Sequence, residues 1–144
     1  MIVHGGLIAW QARGRWIGVL ILGPSGVGKS DLALRALDHG FRLVADDRVA
    51  LFLSDGRLFG QAPAPLRGLM EIRGLGVHPT ANLRFAPITL AVRCKKVTEA
   101  IDRLPEPRSE RLMGMEIPAI DLHPLENSAP AKIRRAIEYL GSGA

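Results

Sequence analysis

Residues 23–30 read Gly23-Pro24-Ser25-Gly26-Val27-Gly28-Lys29-Ser30 and match the pattern G-x-x-x-x-G-K-[ST] at every fixed position. Glycines at these places let backbone N–H groups turn toward phosphate oxygens, because no Cβ stands in the way. The pattern lies between an apolar run, Trp16–Leu22, and a stretch whose apolar residues recur at helical spacing. A buried strand, this loop and a helix in succession are typical of a P-loop, so the sequence predicts nucleoside-triphosphate binding here.

Two residues at the end of the loop are suited to the charges of a bound triphosphate. We expect Lys29 to neutralise oxygens of the β- and γ-phosphates, and the Ser30 hydroxyl to ligate Mg²⁺. The helix that begins near Lys29 adds the positive end of its dipole. The loop therefore predicts both a nucleotide site and a magnesium requirement.

Outside the loop, hydrophobic patterning predicts one α/β domain over residues 1–144, with a mixed β-sheet flanked by helices. The predicted strands are Met1–Ala12, Trp16–Leu22, Arg42–Ala45, Arg48–Leu53, Arg57–Gln61, Leu69–Ile72, Ile88–Arg93 and Leu112–Leu122. The predicted helices follow the loop up to Gly40, then occupy Val97–Leu104 and Ala131–Leu140. Residues 74–87 carry Gly, Pro and Asn and are predicted to form irregular loops. The sheet is mixed because hairpins bracket a parallel-type core.

Composition narrows the functional class. Of the 144 residues, 47% are hydrophobic and 23% are charged, so the chain can bury a core. The single cysteine excludes a disulfide framework and a Cys-rich zinc site. The net charge of +5 suits anionic ligands, but no basic run is interleaved with aromatic residues, so a nucleic-acid binder ranks last. No apolar run is long enough for a membrane span and no signal peptide is evident, so we expect a cytoplasmic protein without a membrane partner.

Two acids, Asp46 and Asp47, follow the apolar stretch Leu43–Ala45. Ligands collect at the carboxyl ends of strands in parallel-type sheets, so both carboxylates could face the phosphates. One is suited to hold Mg²⁺ and the other to accept a proton from an attacking hydroxyl. The alternative is a turn or helix-cap aspartate paired with Arg48. Glu71 has two readings as well: the solvated face of a short strand, or a second oxygen ligand for Mg²⁺.

Together these segments resemble the catalytic C-terminal domain of the HPr kinase/phosphorylase family. The matching pieces stand in the family's order: His4-Gly5, Gly18–Ile21 leading into the loop, Ser30–Leu34, Arg42–Val49, Glu71–Gly76 and Asp102–Leu104. The Leu43–Val49 and Glu71–Gly76 runs are far more specific to this family than the P-loop, which many families share. Enzymes of this bacterial family phosphorylate a serine of HPr, a phosphocarrier of the sugar phosphotransferase system, and reverse the step with phosphate.

The resemblance implies a role for each matching residue. Gly23–Ser30 would bind ATP, with Ser30 and Glu71 on Mg²⁺. Asp47 would accept the serine proton, with Asp46 beside it. His4 matches an active-site histidine that tunes and orients this acid. Arg103 matches a catalytic arginine that stabilises charge on the transferring phosphoryl group.

The chain also departs from the family pattern. The His-Gly element starts at the fourth residue of the chain, so we expect a short form without the family's N-terminal domain. The family tends to show a Pro-Val-x-x-Gly-Arg-Asn run near its C-terminus, whereas residues 123–128 here keep the Pro and the Asn without the arginine. Kinase activity is therefore implied more strongly than phosphorolysis. The family also implies a homo-oligomer, a hexamer, although a shorter segment after Gly76 affects loop-dependent subunit contacts.

Two other functions fit the same motifs. A P-loop kinase for a small metabolite would need a lid with several arginines, and Arg103, Arg108 and Arg111 are candidates for one. A nucleotide-binding regulatory module without turnover is the second alternative. Our first hypothesis is an ATP- and Mg²⁺-dependent protein serine kinase that acts on an HPr-like phosphocarrier.

Overall fold

A computed structural model describes the backbone of residues 1–143 and the side chains of residues 1–140. The strands are β1 Ile2–Ala12, β2 Arg15–Leu22, β3 Arg42–Ala45, β4 Arg48–Ser54, β5 Arg57–Gln61, β6 Leu69–Ile72, β7 Gly76–Pro79, β8 Phe85–Cys94, β9 Arg108–Leu112 and β10 Met115–Leu122. The helices are α1 Lys29–Asp38 and α2 Ala129–Gly143, with a short 3₁₀ turn at Ala64–Leu66. The mixed α/β prediction is confirmed.

Eight of the strands form one mixed sheet, and β6 pairs with β7 in a separate hairpin. Strand β8 runs parallel to β2 on one side and to β10 on the other, whereas the remaining pairs are antiparallel. The long strands β1 and β8 each pair with two groups of neighbours along their length. Pairings of β2 with β1, β1 with β4, β4 with β5, β5 with β8 and β8 with β2 join five strands into a ring. The parallel core bracketed by hairpins is therefore as predicted.

Alternate residues of the central strands point to two separate cores. Ile8, Val19 and Val92 face both helices, where they pack with Leu32 of α1 and Ile133 of α2. Their neighbours in sequence, such as Leu7, Leu20 and Ala91, face the antiparallel strands β4 and β5 instead. Both helices thus lie on one face of the parallel strands. This two-sided burial explains why the strand before the glycine-rich loop is apolar at nearly every position.

The predicted helix over Val97–Leu104 is wrong. The residues between β8 and β9 form turns and irregular backbone in this structure. Val97 is 85% exposed and Leu104 is 94% exposed, so the apolar residues of this segment have no core to pack against. Most of the stability of a short helix comes from burying one face, which this segment does not do.

Two further predictions need correction. Residues 76–79 were expected in an irregular loop, but they form β7 and pair with β6. Leu112–Leu122 was expected as one extended stretch, but Met113 and Gly114 take positive φ angles and turn the chain between β9 and β10. Pro118 has no N–H to donate; it pairs only with Ser109 of β9, because the pairing of β10 with β8 begins at Ala119.

Neither helix in the described part of the chain is long and apolar enough to cross a membrane.

Cys94 ends β8 and lies in the core beneath the glycine-rich loop, only 2% exposed. Burial raises the pKa of its thiol to about 11, although the positive charge of Lys29 opposes the shift. Because the thiolate is the reactive form, we expect iodoacetamide at pH 8 to alkylate Cys94 at least ~100-fold more slowly in the folded protein than in urea. The difference of about two pKa units accounts for a factor on the order of 100, and steric shielding adds to it. Mass spectrometry measures the alkylation rate in buffer and in urea. Equal rates in the two would show that Cys94 is not buried.

Candidate functional site

A cavity of about 670 Å³ opens where β2 and β3 end and α1 begins. Its walls are formed by the glycine-rich loop, the start of α1, the residues that follow β3, and the turn between β6 and β7. The fold therefore brings together segments that lie up to 120 positions apart, from Gly5 to Leu125. Most of the residues selected from the sequence lie on this one cavity.

The loop conformation depends on three glycines. Gly23, Gly26 and Gly28 have φ angles of 152°, 80° and 115°, values that residues other than glycine seldom adopt. Two of them also lack room: a Cβ on Gly23 would lie 2.9 Å from the Cβ of Cys94, and one on Gly28 would lie 2.8 Å from Cδ2 of Leu125. The carbonyl of Gly28 accepts the N–H of Leu32, which starts α1 directly after the loop.

Lys29 is held over the loop by two backbone carbonyls. Its ammonium group donates to the oxygen of Gly23 at 2.7 Å and to that of Pro24 at 2.9 Å. An ammonium group has three N–H donors, so one remains for another acceptor. The positive charge at the mouth of the loop is thus fixed in place and can attract an anion.

Asp46 is only 7% exposed and is the one buried charged residue among the described side chains. The Ser30 hydroxyl donates to Oδ1 of Asp46 at 3.0 Å, and the backbone N–H of Glu71 donates to Oδ2 at 3.1 Å. This carboxylate therefore ties α1 to β6 and sets the position of both Ser30 and Glu71. Hydrogen bonds to the charged form offset the cost of burying it.

Asp47 is placed very differently from its neighbour. Its φ of 69° is left-handed, and 70% of its side chain is exposed, with Nε of Arg48 3.7 Å from the carboxylate. The N–H of Gly5 donates to the backbone oxygen of Asp47 at 3.0 Å and anchors the turn. One acid is thus engaged in holding the site, while the other remains accessible from the cavity. The position of the two acids after a strand left open which one holds Mg²⁺ and which one accepts a proton; only the resemblance assigned the proton to Asp47.

The oxygen donors around Ser30 fit a hard divalent cation. Ser30, Asp46 and Glu71 all line the cavity, and Asp46 already contacts the other two. No group of three or more His, Cys, Asp or Glu side chains gathers into a metal cage within the described residues. Mg²⁺ usually takes one or two carboxylates together with substrate phosphates, so the donor set present here suits a magnesium–nucleotide complex.

Five predicted site residues do not line the cavity. Gly23, Pro24 and Val27 belong to the glycine-rich loop itself, whereas His4 and Arg103 lie elsewhere. His4 is exposed on β1, opposite Arg48 of β4, and only the following residue, Gly5, lines the cavity. Arg103 is exposed in the segment between β8 and β9, beside a smaller cavity lined by Lys95, Asp102 and Arg108. Their roles stay predictions that rest on the resemblance.

Sequence reasoning missed part of the wall. Arg73, Gly74 and Gly76 line the cavity because β6 and β7 form a hairpin whose turn reaches it. Leu125 lines it from the far end of the chain, between β10 and α2. The pair of glycines flanking Leu75 was a signal for the hairpin turn, whereas nothing local in the sequence indicates that Leu125 reaches the loop.

The two glycines that begin the buried part of β1 make a matched test of the site's geometry. A Cβ on Gly5 would collide with the carbonyl oxygen of Ile21, whereas one on Gly6 would meet its nearest atom at an ordinary 3.7 Å. We expect Gly5→Ala to lower the free energy of unfolding by about 1–3 kcal/mol, as overpacking does. We expect Gly6→Ala to change it by less than about 0.5 kcal/mol. Urea titrations measure the free energy of unfolding of both variants. Equal decreases in the two would contradict the close approach of Gly5 to the carbonyl of Ile21.

The chain is similar to known proteins in both sequence and fold. A family model for the HPr Serine kinase C-terminal domain matches residues 1–133. The HPr kinase/phosphorylase of Lactobacillus acidophilus is 36% identical over 149 residues, which cover 96% of this chain and 43% of that protein. The corresponding protein of Lactiplantibacillus plantarum is 40% identical over 131 residues, with 83% of this chain and 40% of that protein covered.

The chain thus spans less than half the length of these curated relatives. Among solved structures, the Hpr(Ser) kinase/phosphatase from Coxiella burnetii superposes with a TM-score of 0.80 at 26% identity, covering 99% of this chain and 96% of that one. The resemblance noted in the sequence therefore extends through the fold, and the chain belongs to the HPr serine kinase C-terminal domain family.

Proposed function

We propose that this chain is a P-loop kinase domain that transfers the terminal phosphoryl group of ATP to a serine of an HPr-like phosphocarrier. Because ATP is the donor, we place the reaction in the cytoplasm. One observation carries the proposal: a single cavity is lined by Lys29 and Ser30 of the loop together with the carboxylates Asp46, Asp47 and Glu71. A phosphate-binding loop that shares its cavity with an exposed carboxylate, here Asp47 with Arg48 3.7 Å away, suits in-line transfer to a hydroxyl.

The division between the two aspartates suggests how the proton moves. The serine oxygen attacks the terminal phosphorus, and its proton passes to the exposed carboxylate of Asp47. A new O–P bond forms to serine as the bond between that phosphorus and the bridging oxygen of ADP breaks. Asp46 takes no proton in this scheme, since both of its oxygens already accept hydrogen bonds that position Ser30 and Glu71.

Charge on the transferring group would be stabilised mainly by Lys29, whose ammonium lies at the mouth of the loop. Ser30 and Glu71, placed by Asp46, would hold Mg²⁺, which when bound neutralises charge on the phosphate oxygens. The resemblance assigns Arg103 to the same task and His4 to tuning Asp47. Substituting either residue by Ala and measuring transfer beside ATP affinity tests those two assignments separately.

The curated relatives are named kinase/phosphorylase, so we extend the proposal to the reverse reaction. In that direction inorganic phosphate attacks the phosphoserine, the bond to the serine oxygen breaks, and pyrophosphate forms. Asp47, protonated before this step, would donate its proton to the leaving serine oxygen, and the proton lost by the attacking phosphate would reprotonate it. The resemblance also implies a homo-oligomer, which sedimentation of the purified chain tests.

Incubation with γ-labelled ATP, Mg²⁺ and a purified HPr-type protein tests the proposal. We expect acid-stable phosphoserine on the carrier, and its loss with release of pyrophosphate when excess phosphate replaces ATP. Turnover only with small hydroxylated metabolites would favour a metabolite kinase. Tight ATP binding without any phosphorylated product would indicate a regulatory module and would overturn the kinase assignment.

A further inference from the structure

One wall of the cavity is apolar and comes from a segment that the proposed reaction does not use. Residues 123–128 connect β10 to α2, and Leu125 at their centre is 61% exposed while lining the cavity. Its side chain stands directly over the loop, since a Cβ on Gly28 would lie 2.8 Å from Cδ2 of Leu125. An exposed leucine fixed beside a polar loop is a surface that an apolar part of a ligand can cover.

The position of Leu125 is set by Arg35 of α1. The guanidinium donates to the backbone oxygens of both residues flanking Leu125, to Glu126 at 3.1 Å and to Pro124. Nε of the same group donates to Asp31 at 2.9 Å, one turn earlier in α1. The three acceptors are bound by three different nitrogens of the planar guanidinium, a spread that the single nitrogen of a lysine does not reproduce. The helix that carries Lys29 and Ser30 therefore also carries the clamp for this wall.

Further contacts hold the rest of the segment. His123 contacts the backbone oxygen of Glu99 at 2.8 Å and the carboxylate of Glu126 at 3.4 Å, and Lys132 of α2 donates to Glu126 at 2.7 Å. Leu125 itself stays exposed although its neighbours are fastened on both sides. A rigid backbone that presents one free apolar side chain is preorganised for contact with a ligand.

The two sides of α1 divide the cavity chemically. Ser30 lies on the side of Asp46 and Glu71, where the charged end of a nucleotide would be held. Asp31 and Arg35 mark the other side, where Leu125 forms the wall. If the terminal phosphate of a nucleotide points toward Asp47, its nucleoside therefore lies on the Leu125 side of the cavity.

We propose that Leu125, held by Arg35, is the contact for the nucleoside of the bound nucleotide, so that this wall recognises the base and sugar rather than the phosphates. The inference rests on the proposed function, because it takes loop 23–30 as the site of the phosphates. It makes Leu125 a specificity-determining residue and Arg35 a positioning residue.

Affinities for ATP and for inorganic tripolyphosphate, both with Mg²⁺, separate the two halves of the site. We expect Leu125→Ser to raise the Kd for ATP about tenfold, since it removes apolar contact area, and to leave the Kd for tripolyphosphate within twofold. Leu125→Met keeps the side-chain volume and should retain ATP affinity within about threefold. Arg35→Lys should behave as Leu125→Ser does, because the two carbonyls are held by two different guanidinium nitrogens and a lysine has only one nitrogen.

Isothermal titration on the full chain gives each constant. Unchanged ATP affinity in Leu125→Ser, or equal losses for ATP and tripolyphosphate, would overturn the nucleoside contact. Failure of the wild-type chain to bind tripolyphosphate at all would instead contradict the phosphate loop and with it the proposed function. Circular dichroism spectra and melting temperatures matched to the wild type confirm that each variant folds.

Discussion

Lys29→Ala should reduce phosphoryl transfer by at least about 10³-fold and weaken ATP binding in the same variant. The ammonium group is the one cation among the residues of loop 23–30, and it lies within 2.9 Å of two loop carbonyls. Removing one preorganised charge that faces a phosphoryl group typically costs about 10²–10³-fold in rate, and weaker nucleotide binding adds to that loss. Rates at saturating and subsaturating ATP, measured with labelled nucleotide, separate the two effects.

Lys96→Ala provides the matched control. Lys96 is an exposed lysine that does not line the cavity, so its substitution changes the net charge equally and leaves the loop untouched. We expect wild-type transfer from this variant. A Lys29→Ala protein with normal ATP affinity and normal transfer would remove the phosphate role of the loop.

Asp47→Asn should retain ATP binding within a factor of about three and lose about 10²–10⁴-fold in transfer, the range that general base catalysis contributes. The amide is nearly the same size as the carboxylate and tolerates the left-handed φ of 69°, so the backbone need not move. Only the ability to accept a proton is lost. The rate constant kcat and the dissociation constant for ATP, measured separately, distinguish this result from a binding defect.

Asp55→Asn controls for the substitution itself. Asp55 also has a left-handed φ, of 51°, but it lies in the exposed turn between β4 and β5, outside the cavity. We expect unchanged binding and transfer from it. Transfer by Asp47→Asn at a rate close to wild type would exclude this aspartate as the base and turn attention to Glu71.

Local patterning predicted the elements whose signals are strong and short-range. The apolar run before residue 23, the glycines of the loop and the helical spacing after it gave β2, the turn and α1, because propensity and burial agree there. The hairpin around Ser54-Asp55-Gly56 is equally local, since the turn residues themselves take the required positive φ angles.

The errors arose where tertiary contacts decide. Val97 and Leu104 stand seven positions apart, as on one face of a helix, yet the chain offers them no surface to cover, so no helix forms. Conversely, residues 76–79 are exposed and rich in turn formers, and they become a strand only because β6 is available to pair with.

The candidate site shows the same limit. That Asp46 and Asp47 follow a strand near the loop could be predicted, but adjacent positions in sequence carry no information on which is buried. Asp46 is 7% exposed and accepts hydrogen bonds from Ser30 and from the backbone of Glu71, which come from other parts of the chain. Leu125 and its arginine clamp are separated by ninety positions in sequence and meet only through the fold.

A crystal structure with Mg²⁺ and a non-hydrolysable ATP analogue tests the central claim most directly. We expect the β- and γ-phosphates within hydrogen-bonding distance of the backbone N–H groups of residues 26–30 and of the Lys29 ammonium. The Asp47 carboxylate should face the terminal phosphorus from the open side of the cavity. A triphosphate bound outside the loop, or a terminal phosphorus turned away from Asp47, would contradict the proposed kinase.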